Sequence, residues 1–290
     1  MMISGSTVLL TGATGGLGQA IARALYARGA DLRLVGRRAH VLAPLAAEQS
    51  ALEHRLVSFL PLDASFSAGQ YAELAHAEID GLLAAGRRPI VVGGTGLYLR
   101  AALAELDLRP PPPEGSREHW TAELEQHGAR ALHARLVQLA PWAAAHIEPN
   151  DGRRVVRALE LLDIGELEPS EGPSQLWSEE LRHPTALAGL TMQREALYTR
   201  IDARVEQMLA AGVREEVLRA NAAGASDTAR QALGFQELLA GDVDTMKRRT
   251  RNYARRQLTW MRKLARVRLI DVTDRPASDV AEEILAPAGH

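Results

Sequence analysis

Hydrophobic positions along the chain occur in short continuous runs that alternate with longer amphipathic stretches. A continuous apolar run of about four to eight residues, bounded by glycine or turn residues, predicts a buried strand of the kind found in parallel sheets. Five segments have this pattern: STVLLTGA, DLRLVGRR, RPIVVGGTG, TALAGLTM and VRLIDVT. The segment HRLVSFLPLD predicts a short strand or an extended stretch.

Apolar residues recur at helical spacing between these runs. GLGQAIARALYARGA predicts a helix that stops at Gly29, and SAGQYAELAHAEIDGLLAAG predicts one with Ser67 as its N-cap. VLAPLAAEQSALE is weakly helical. Further helices are predicted to begin near Leu97 and to lie within 115–165, 194–220, 226–240, 243–265 and the segment ASDVAEEILA.

Two breaks divide this alternating pattern. The segment RPPPPEG, from Arg109 to Gly115, can be neither helix nor central strand and predicts a linker, and residues 165–184 are irregular. Strands and helices that alternate on both sides of a helical stretch predict an α/β fold, a parallel-sheet, nucleotide-binding-type core with an inserted helical domain. The predicted domains are a strand–helix–strand segment at 1–52, core segments at 53–108 and 189–290, and the helical insert at 109–188.

Composition excludes several classes of protein. The chain has no apolar run of membrane-spanning length and no basic segment before an apolar one at its start, so we expect neither a membrane span nor a secretory signal. It also has no cysteine, which excludes disulfides, thiolate metal sites and cysteine nucleophiles. These features fit a cytoplasmic protein.

Positive charge is concentrated near the end of the chain. The segment from Lys247 to Arg268 contains ten Lys or Arg and no Asp or Glu, although the whole chain has a formal net charge of -2. A polyanionic partner would explain such a run, and so would a solvated helix face. By position alone the two explanations are equally good.

The glycine-rich stretch TGATGGLG lies where the first predicted strand meets the first predicted helix. Its glycines allow a tight turn and close approach of a pyrophosphate to a helix N-terminus, and the alternative is a turn without a ligand. Together with ADLRLVGRR, this stretch resembles the first strand–helix–strand (Rossmann) unit of the short-chain dehydrogenases. The resemblance implies phosphate or cofactor contacts by Gly12, Gly16, Gly18 and Arg37 (or Arg38), with NADP as the cofactor.

The catalytic pair of the dehydrogenases is absent from the sequence. Those enzymes use a tyrosine whose pKa is lowered by a lysine four residues later. The chain has only two lysines, Lys247 and Lys263, and the residues four positions earlier are Val243 and Thr259. The resemblance therefore ends near residue 50.

From about His54 onward the chain is similar to a second family. The segments FSAGQYAELAHAEIDGLLAAGRRPIVVGGTGLYLRAAL, PNDGRRVVRALELLDIG, REALYTRIDARVEQMLAAGVREEV, ARQALGFQELL and TRNYARRQLTWMRK occur in the order found in the tRNA dimethylallyltransferases. That resemblance implies transfer of a dimethylallyl group from dimethylallyl diphosphate to N6 of the adenosine next to the tRNA anticodon. It also implies a cytoplasmic, monomeric enzyme that uses Mg²⁺.

The second resemblance implies roles for three side chains at the reaction centre. Thr95 would supply a hydroxyl to the channel where the substrates meet, and its alternative role is to cap the next helix. Arg194 and Arg200 would contact the pyrophosphate leaving group, which needs positive charge and hydrogen-bond donors, and the alternative is that they are surface arginines. No protein metal ligand is assigned.

The same resemblance implies contacts with the tRNA anticodon stem-loop. The insert at 109–188 would clasp the stem. Phe235 and Trp260 could stack on bases or belong to the core, and we favour the core for both. The implied tRNA-binding residues are Arg153, Arg154, Arg157, Arg230, Gln231, Phe235, Arg255, Arg256, Gln257 and Trp260.

Two elements of the second family are missing. The chain contains no phosphate-binding G-x-x-x-x-G-K-[ST], because Lys247 precedes an arginine and Lys263 a leucine. It has no counterpart of the Asp-Ser-x-Gln stretch, whose aspartate accepts the N6 proton. We therefore expect transfer to be slow or lost. The alternatives are an NADP-binding, dehydrogenase-like protein and a tRNA-binding protein without activity. The junction near 48–54 is consistent with a gene fusion, an assembly artefact or a deliberate chimera.

Overall fold

The structure is a computed structural model that describes residues 7–11, 31–35, 55–56, 59–169, 175–264 and 266–285. The chain divides into two compact units. Unit 1 consists of Met1–Leu106 and Leu176–His290, and unit 2 consists of Asp107–Gln175. The sequence placed the helical insert at 109–188. None of the helices in the described ranges has the length and apolar character that crossing a membrane requires.

Unit 1 contains two parallel strand pairs. Strand β1 (Thr7–Thr11) pairs with β2 (Asp31–Val35), and β3 (Leu187–Thr191) pairs with β4 (Val267–Asp271). All four strands were predicted. The helix predicted between β1 and β2, and the weakly helical segment after β2, lie outside the described residues.

Helices α1 (Ala68–Ala84) and α2 (Gly96–Leu103) follow β2 in unit 1. Ser67 is the N-cap of α1, as predicted: its Oγ accepts a hydrogen bond from Gln70 N at 3.2 Å, and the Gln70 side chain accepts one from Ser67 N at 2.9 Å. Ala75 and Ile79 of α1 pack against Ala102 of α2.

The predicted strand RPIVVGGTG is wrong. Residues 87–95 are assigned to no strand, and each of the two described sheets has only two strands, neither of which comes from this segment. Residues 87–95 therefore lead into α2 without pairing with another strand among the described residues. The described part of HRLVSFLPLD likewise contains no strand.

The C-terminal half of unit 1 contains more helices than the sequence predicted. The predicted helix 194–220 is interrupted at Gly212 (φ 81°), and the predicted helix 226–240 is interrupted before Gly234 (φ 95°). Glycine tolerates this left-handed conformation, which ends a regular helix. The helices are α7 (Arg194–Ala210), α8 (Val213–Ala222), α9 (Asp227–Arg230), α10 (Phe235–Ala240), α11 (Val243–Lys263) and α12 (Ala277–Leu285).

Unit 2 is helical, as predicted for 115–165. Trp120 is 2% exposed and packs with Leu136, Val155 and Leu159 in its core, while the Trp120 Nε1–H donates to Asp163 Oδ2 at 2.6 Å. The helices of unit 2 precede α7 in the chain. They are α3 (Ser116–His127), α4 (Ala129–Leu139), α5 (Pro141–Ala144) and α6 (Gly152–Asp163).

A cluster of charged residues ties the segment after unit 2 to the first helices of unit 1. Arg182 donates to Asp80 at 3.2 and 2.8 Å and to Glu105 at 2.5 Å, and His183 Nε2 lies 2.8 Å from Asp80 Oδ1. The hydrogen bonds from Arg182, and then from His183, lower the pKa of the Asp80 carboxyl to about 2. Buried Arg100 of α2 donates to Ser178 Oγ at 3.1 Å, so the chain beside Trp177 is also attached to α2.

Candidate active site

The glycine turn at Gly93–Gly96 lies directly against one face of α11. Thr95 Oγ1 is 2.8 Å from the hydroxyl oxygen of Tyr253, and Gln257 Nε2 donates to the carbonyl of Gly94 at 2.8 Å. Tyr253, Gln257 and Trp260 have the i, i+4, i+7 spacing of a single helix face. The predicted site residues Thr95, Gln257 and Trp260 therefore come together, and Tyr253 joins them.

Two glycines make this close approach possible. A Cβ at Gly94 would overlap the Gln257 amide, and a Cβ at Gly96 would overlap the ring of Trp260. The Trp260 ring also lies 4.7 Å from the ring of Trp177, with an interplanar angle of 49°. Trp260 is thus partly buried and packs between Gly96 and Trp177, which falls short of the core position favoured from the sequence.

Substituting Gly96 by alanine is expected to destabilise unit 1. The Trp260 ring cannot move aside easily because Trp177 lies beside it, so overpacking should cost about 1–3 kcal/mol. Gly93→Ala is the matched control, since a Cβ there has open space around it. Urea unfolding followed by tryptophan fluorescence measures both. Equal midpoints for the two variants would contradict the packing described above.

Arg194 and Arg200 lie in the first two turns of α7, which follows the carboxyl end of β3. Arg194 is the first residue of the helix. The Arg200 side chain points back toward the start of the helix, and its Nη1 lies 4.0 Å from Met192 Sδ. Both arginines are exposed. In the part of the chain that the structure describes, the N-cap residue Gln193 makes no side-chain capping hydrogen bond and so leaves the backbone N–H groups of this helix end to other partners. These are the elements of an anion-binding site.

Two ion pairs show that α7 is antiparallel to α11. Lys247 Nζ lies 2.5 Å from Glu206 Oε1. Arg251 lies one turn after Lys247 on α11, and it binds Asp202, which lies one turn before Glu206 on α7. The Arg251 guanidinium also lies 5.4 Å from the ring centre of Tyr198, which is one further turn earlier on α7. The glycine turn contacts Tyr253, Gln257 and Trp260 of α11, so α7 and the glycine turn both pack against this helix.

The predicted tRNA-binding residues of unit 1 differ in their surroundings. Arg255, Arg256 and Gln231 are exposed, and the Arg256 guanidinium lies 5.7 Å from the ring centre of Tyr253. Arg230 Nε donates to the carbonyl of Ala225 at 2.9 Å. Phe235 is 6% exposed in a core cluster with Val205 and Met246, which confirms the core alternative and leaves its ring little surface for a base.

The three predicted arginines of unit 2 also differ. Arg153 and Arg154 are exposed on α6. Arg157 is engaged inside the unit: it lies 3.3 Å from the fully buried Glu160 and donates to the carbonyls of Arg109 and Pro110 at 3.1 and 2.5 Å. Arg157 therefore anchors the proline-rich linker to α6.

The residues assigned to the first glycine loop, Gly12, Gly16, Gly18 and Arg37, lie outside the described residues. The sequence reasoning missed Tyr253 and Trp177. A signal for Tyr253 was available, because it lies four residues before Gln257 and seven before Trp260. Within the ranges that the structure describes, no group of three or more His, Asp or Glu side chains could hold a metal ion.

The fold and this centre together define a class of protein, an α/β core with an inserted helical unit and a glycine turn that packs against a basic helix. Residues 42–264 match the family model of the IPP transferases. The chain is 40% identical over 227 residues to a tRNA dimethylallyltransferase of Exiguobacterium, covering 74% of this chain and 71% of that protein. It is 40% identical over 253 residues to one from Thermobifida fusca, covering 81% and 77%.

Solved structures show the same relationship. The full-length tRNA isopentenylpyrophosphate transferase of Bacillus halodurans aligns with a TM-score of 0.60 and 30% identity, covering 96% of this chain and 94% of that one. A eukaryotic dimethylallyltransferase acting on tRNA shares the fold, with a TM-score of 0.63, 22% identity and coverage of 95% and 76%. The chain belongs to the tRNA dimethylallyltransferase family, whose members are prenyltransferases that act on tRNA.

Proposed function

We propose that this chain transfers the dimethylallyl group of dimethylallyl diphosphate to N6 of the adenosine next to the tRNA anticodon. The observation that carries this proposal is the arrangement around the second half of α11. The Thr95 hydroxyl is held there by Tyr253 at 2.8 Å, and α7, which carries the exposed Arg194 and Arg200, packs against α11 through the ion pair of Asp202 with Arg251. A polar group for the adenine and a cationic group for the diphosphate are thus both available.

The reaction needs one bond to form and one to break. The N6 amine attacks C1 of the dimethylallyl group, the bond from C1 to the diphosphate oxygen breaks, and pyrophosphate leaves. Arg194 and Arg200 stabilise the charge that develops on pyrophosphate, because guanidinium groups bind phosphate oxygens in pairs. The N–H groups at the start of α7 add to this stabilisation.

Thr95 and Tyr253 orient the nucleophile. A threonine hydroxyl that donates to Tyr253 still has a lone pair for an adenine N6–H, and the alternative orientation of the two hydroxyls leaves the same capacity. N6 then loses a proton, which the departing pyrophosphate can accept. The pair holds the amine in place but is a weaker proton acceptor than a carboxylate.

A resident magnesium site does not fit the described side chains, because they offer no cluster of acidic ligands. Mg²⁺ often reaches enzymes as a complex with substrate phosphates and keeps several of its waters. We therefore propose that Mg²⁺ enters with dimethylallyl diphosphate. Gly12, Gly16 and Gly18 are proposed as a weak second contact for the pyrophosphate, which a Gly16→Asp substitution should abolish. The alternative ligand of this loop, with Arg37, is NADP.

The anticodon stem-loop is the proposed tRNA region, and a cytoplasmic monomer is the proposed form of the protein. Arg153 and Arg154 supply exposed cations from unit 2. In unit 1 the proposed contacts are Arg230, Gln231, Arg255, Arg256 and, beside the glycine turn, Gln257 and Trp260.

A product assay tests the proposal. Purified protein is incubated with dimethylallyl diphosphate, Mg²⁺ and unmodified tRNA, and the digested tRNA is searched for N6-dimethylallyladenosine by mass spectrometry. We expect slow formation of product that falls by about 10²–10³ in Arg194→Gln and Arg200→Gln. Arg219→Gln, at an exposed position of α8, is the control and should keep the wild-type rate.

Binding measurements separate the alternatives. A folded protein that binds tRNA but forms no product would contradict the transfer and support a tRNA-binding protein without activity. Quenching of tryptophan fluorescence by NADP, without binding of tRNA, would support the dehydrogenase-like alternative instead.

A further inference from the structure

A short segment formed by residues 177–182 is attached to α2 and is called the strap. Buried Arg100 of α2 donates from Nη2 to Ser178 Oγ at 3.1 Å. The backbone N–H of Arg182 donates to the carbonyl of Leu103, the last residue of α2, at 2.9 Å, and its guanidinium binds a carboxylate of α1 through two hydrogen bonds. Both ends of the strap are therefore fixed to the helices of this side.

The strap also contacts the end of α11. The ring of Trp177 lies 4.7 Å from the ring of Trp260, and Lys263 Nζ lies 5.0 Å from the centre of the Trp177 ring. Glu179 pairs with Arg266, which follows α11, but both side chains are largely exposed and such a pair contributes little. The strap therefore joins α2 to α11 mainly through the side chain of Trp177.

The glycine turn is a second connection between α2 and α11. It includes the hydrogen bond between the hydroxyls of Thr95 and Tyr253 and the contact of the Trp260 ring with Gly96. A hydrogen bond at an exposed position is easily exchanged for hydrogen bonds to water. The Trp260 ring is held differently, because it packs between Gly96 and Trp177 and cannot withdraw from the turn while Trp177 stays in place.

We propose that Trp177 is a positioning residue of the transfer reaction, which acts through Trp260 on the glycine turn that carries Thr95. With the Trp177 ring in place, the turn stays against α11 and the Thr95 hydroxyl stays beside Tyr253. Without it, the Trp260 ring has room to move away from the turn, and the two hydroxyls lose their fixed position. The inference rests on the proposed function and concerns a side chain that touches no reactant.

The test compares two substitutions of Trp177 with a control on the same strap. Trp177→Leu removes the stacked ring, and Trp177→Phe keeps an aromatic ring. Glu179→Gln, the control, removes only the exposed ion pair with Arg266. Each full-length protein, in saturating excess over unmodified tRNA, is mixed with dimethylallyl diphosphate and Mg²⁺. Quantified N6-dimethylallyladenosine then gives the single-turnover rate constant.

This rate constant separates positioning from stability. When protein is saturating, only folded molecules bind the tRNA, so a smaller folded fraction leaves the rate constant of the bound complex unchanged. Urea unfolding followed by circular dichroism measures the stability of each variant separately. Two stacked indole rings also give an exciton couplet in the far-ultraviolet circular dichroism spectrum, which reports the contact of Trp177 with Trp260 without any substrate.

Trp177→Leu is expected to lower the single-turnover rate constant on the order of 10- to 100-fold, because a displacement of about 1 Å can cost about 10²-fold. The KM for dimethylallyl diphosphate and the affinity for tRNA should stay within about twofold of the wild-type values. Trp177→Phe should keep most of the rate, since its ring still supports Trp260. The exciton couplet should disappear in Trp177→Leu, and Glu179→Gln should keep both the couplet and the rate.

Four other outcomes would overturn the inference. A wild-type rate constant in Trp177→Leu, with or without a lower unfolding midpoint, would limit Trp177 to a structural role. An equal loss in Glu179→Gln would show that the indole ring is not the cause. Weaker tRNA binding with an unchanged rate constant would make Trp177 an RNA contact. If the wild-type chain formed no product, the proposed function would fail and the positioning role with it, whereas wild-type product with an unaffected Trp177→Leu would overturn this inference alone.

Discussion

Replacing Arg249 by alanine is expected to lower the free energy of unfolding by about 3–5 kcal/mol. The Glu237 side chain, its ion-pair partner, is only 5% exposed, whereas the Arg249 side chain is 52% exposed. Within the described part of the chain, Glu237 Oε2 has no hydrogen-bond partner, so Arg249 provides the compensation for a carboxylate that is otherwise surrounded by protein. Removing the cation leaves a buried, unpaired charge.

The neighbouring Arg248 provides the matched control. It has the same charge on the same helix, but its side chain is exposed and its hydrogen-bond acceptor is neutral Thr245. Arg248→Ala should change the free energy of unfolding by no more than about 0.5 kcal/mol. Urea unfolding monitored by circular dichroism measures both variants. Equal destabilisation by the two substitutions would show that Arg249 does not stabilise Glu237.

A double substitution isolates the cause. When both partners of a buried ion pair become apolar, the desolvation penalty disappears with the attraction. Arg249→Met together with Glu237→Leu should therefore recover much of the stability lost in Arg249→Ala. No recovery would mean that Arg249 stabilises α10 through packing of its methylene groups instead.

The regular elements could be predicted from sequence where a local signal exists. Ser67 and Gln70 form the two halves of a capping box within a four-residue window, and the start of α1 was predicted from Ser67. The breaks at Gly212 and Gly234 were missed, because the apolar periodicity continues across both glycines. The strand predicted for RPIVVGGTG does not form in the structure. The composition of this segment favours a strand, but a strand also needs a neighbouring strand with which to pair.

The candidate site depends on contacts that periodicity cannot predict. Thr95 was placed at a glycine turn from the sequence, but its partner Tyr253 is 158 residues away. Arg157 shows the converse: its motif implies tRNA binding, while its hydrogen bonds go to two carbonyls of the linker. The charge run from Lys247 to Arg268 allowed two equal explanations. The structure shows that some of its cations are ion-paired within the protein and others are exposed, a distinction that requires the neighbouring helices.

Replacing residues 1–53 by the equivalent segment of the Bacillus halodurans relative is expected to raise kcat/KM for dimethylallyl transfer on the order of 10⁴-fold or more. The family resemblance implies that such a segment carries G-x-x-x-x-G-K-[ST] and Asp-Ser-x-Gln, and this chain contains neither. Preorganised donors around a leaving group contribute about 10²–10³, and a general base contributes about 10²–10⁴. The two factors multiply where they act on different atoms, here the pyrophosphate oxygens and the N6 proton.

Two variants of the graft assign the gain to its parts. Replacing the lysine of the grafted loop by alanine should remove the part of the rate gain that comes from binding the diphosphate, and it should raise the KM for dimethylallyl diphosphate. Replacing the grafted aspartate by asparagine should lower kcat and leave the affinity for tRNA unchanged. The rates come from quantified N6-dimethylallyladenosine under single-turnover conditions. A graft that folds, binds tRNA as tightly as the original chain and is no faster would contradict the prediction. In that case Thr95, Tyr253 and the arginines of α7 would already carry the chemistry, and the role given to the missing loop would be wrong.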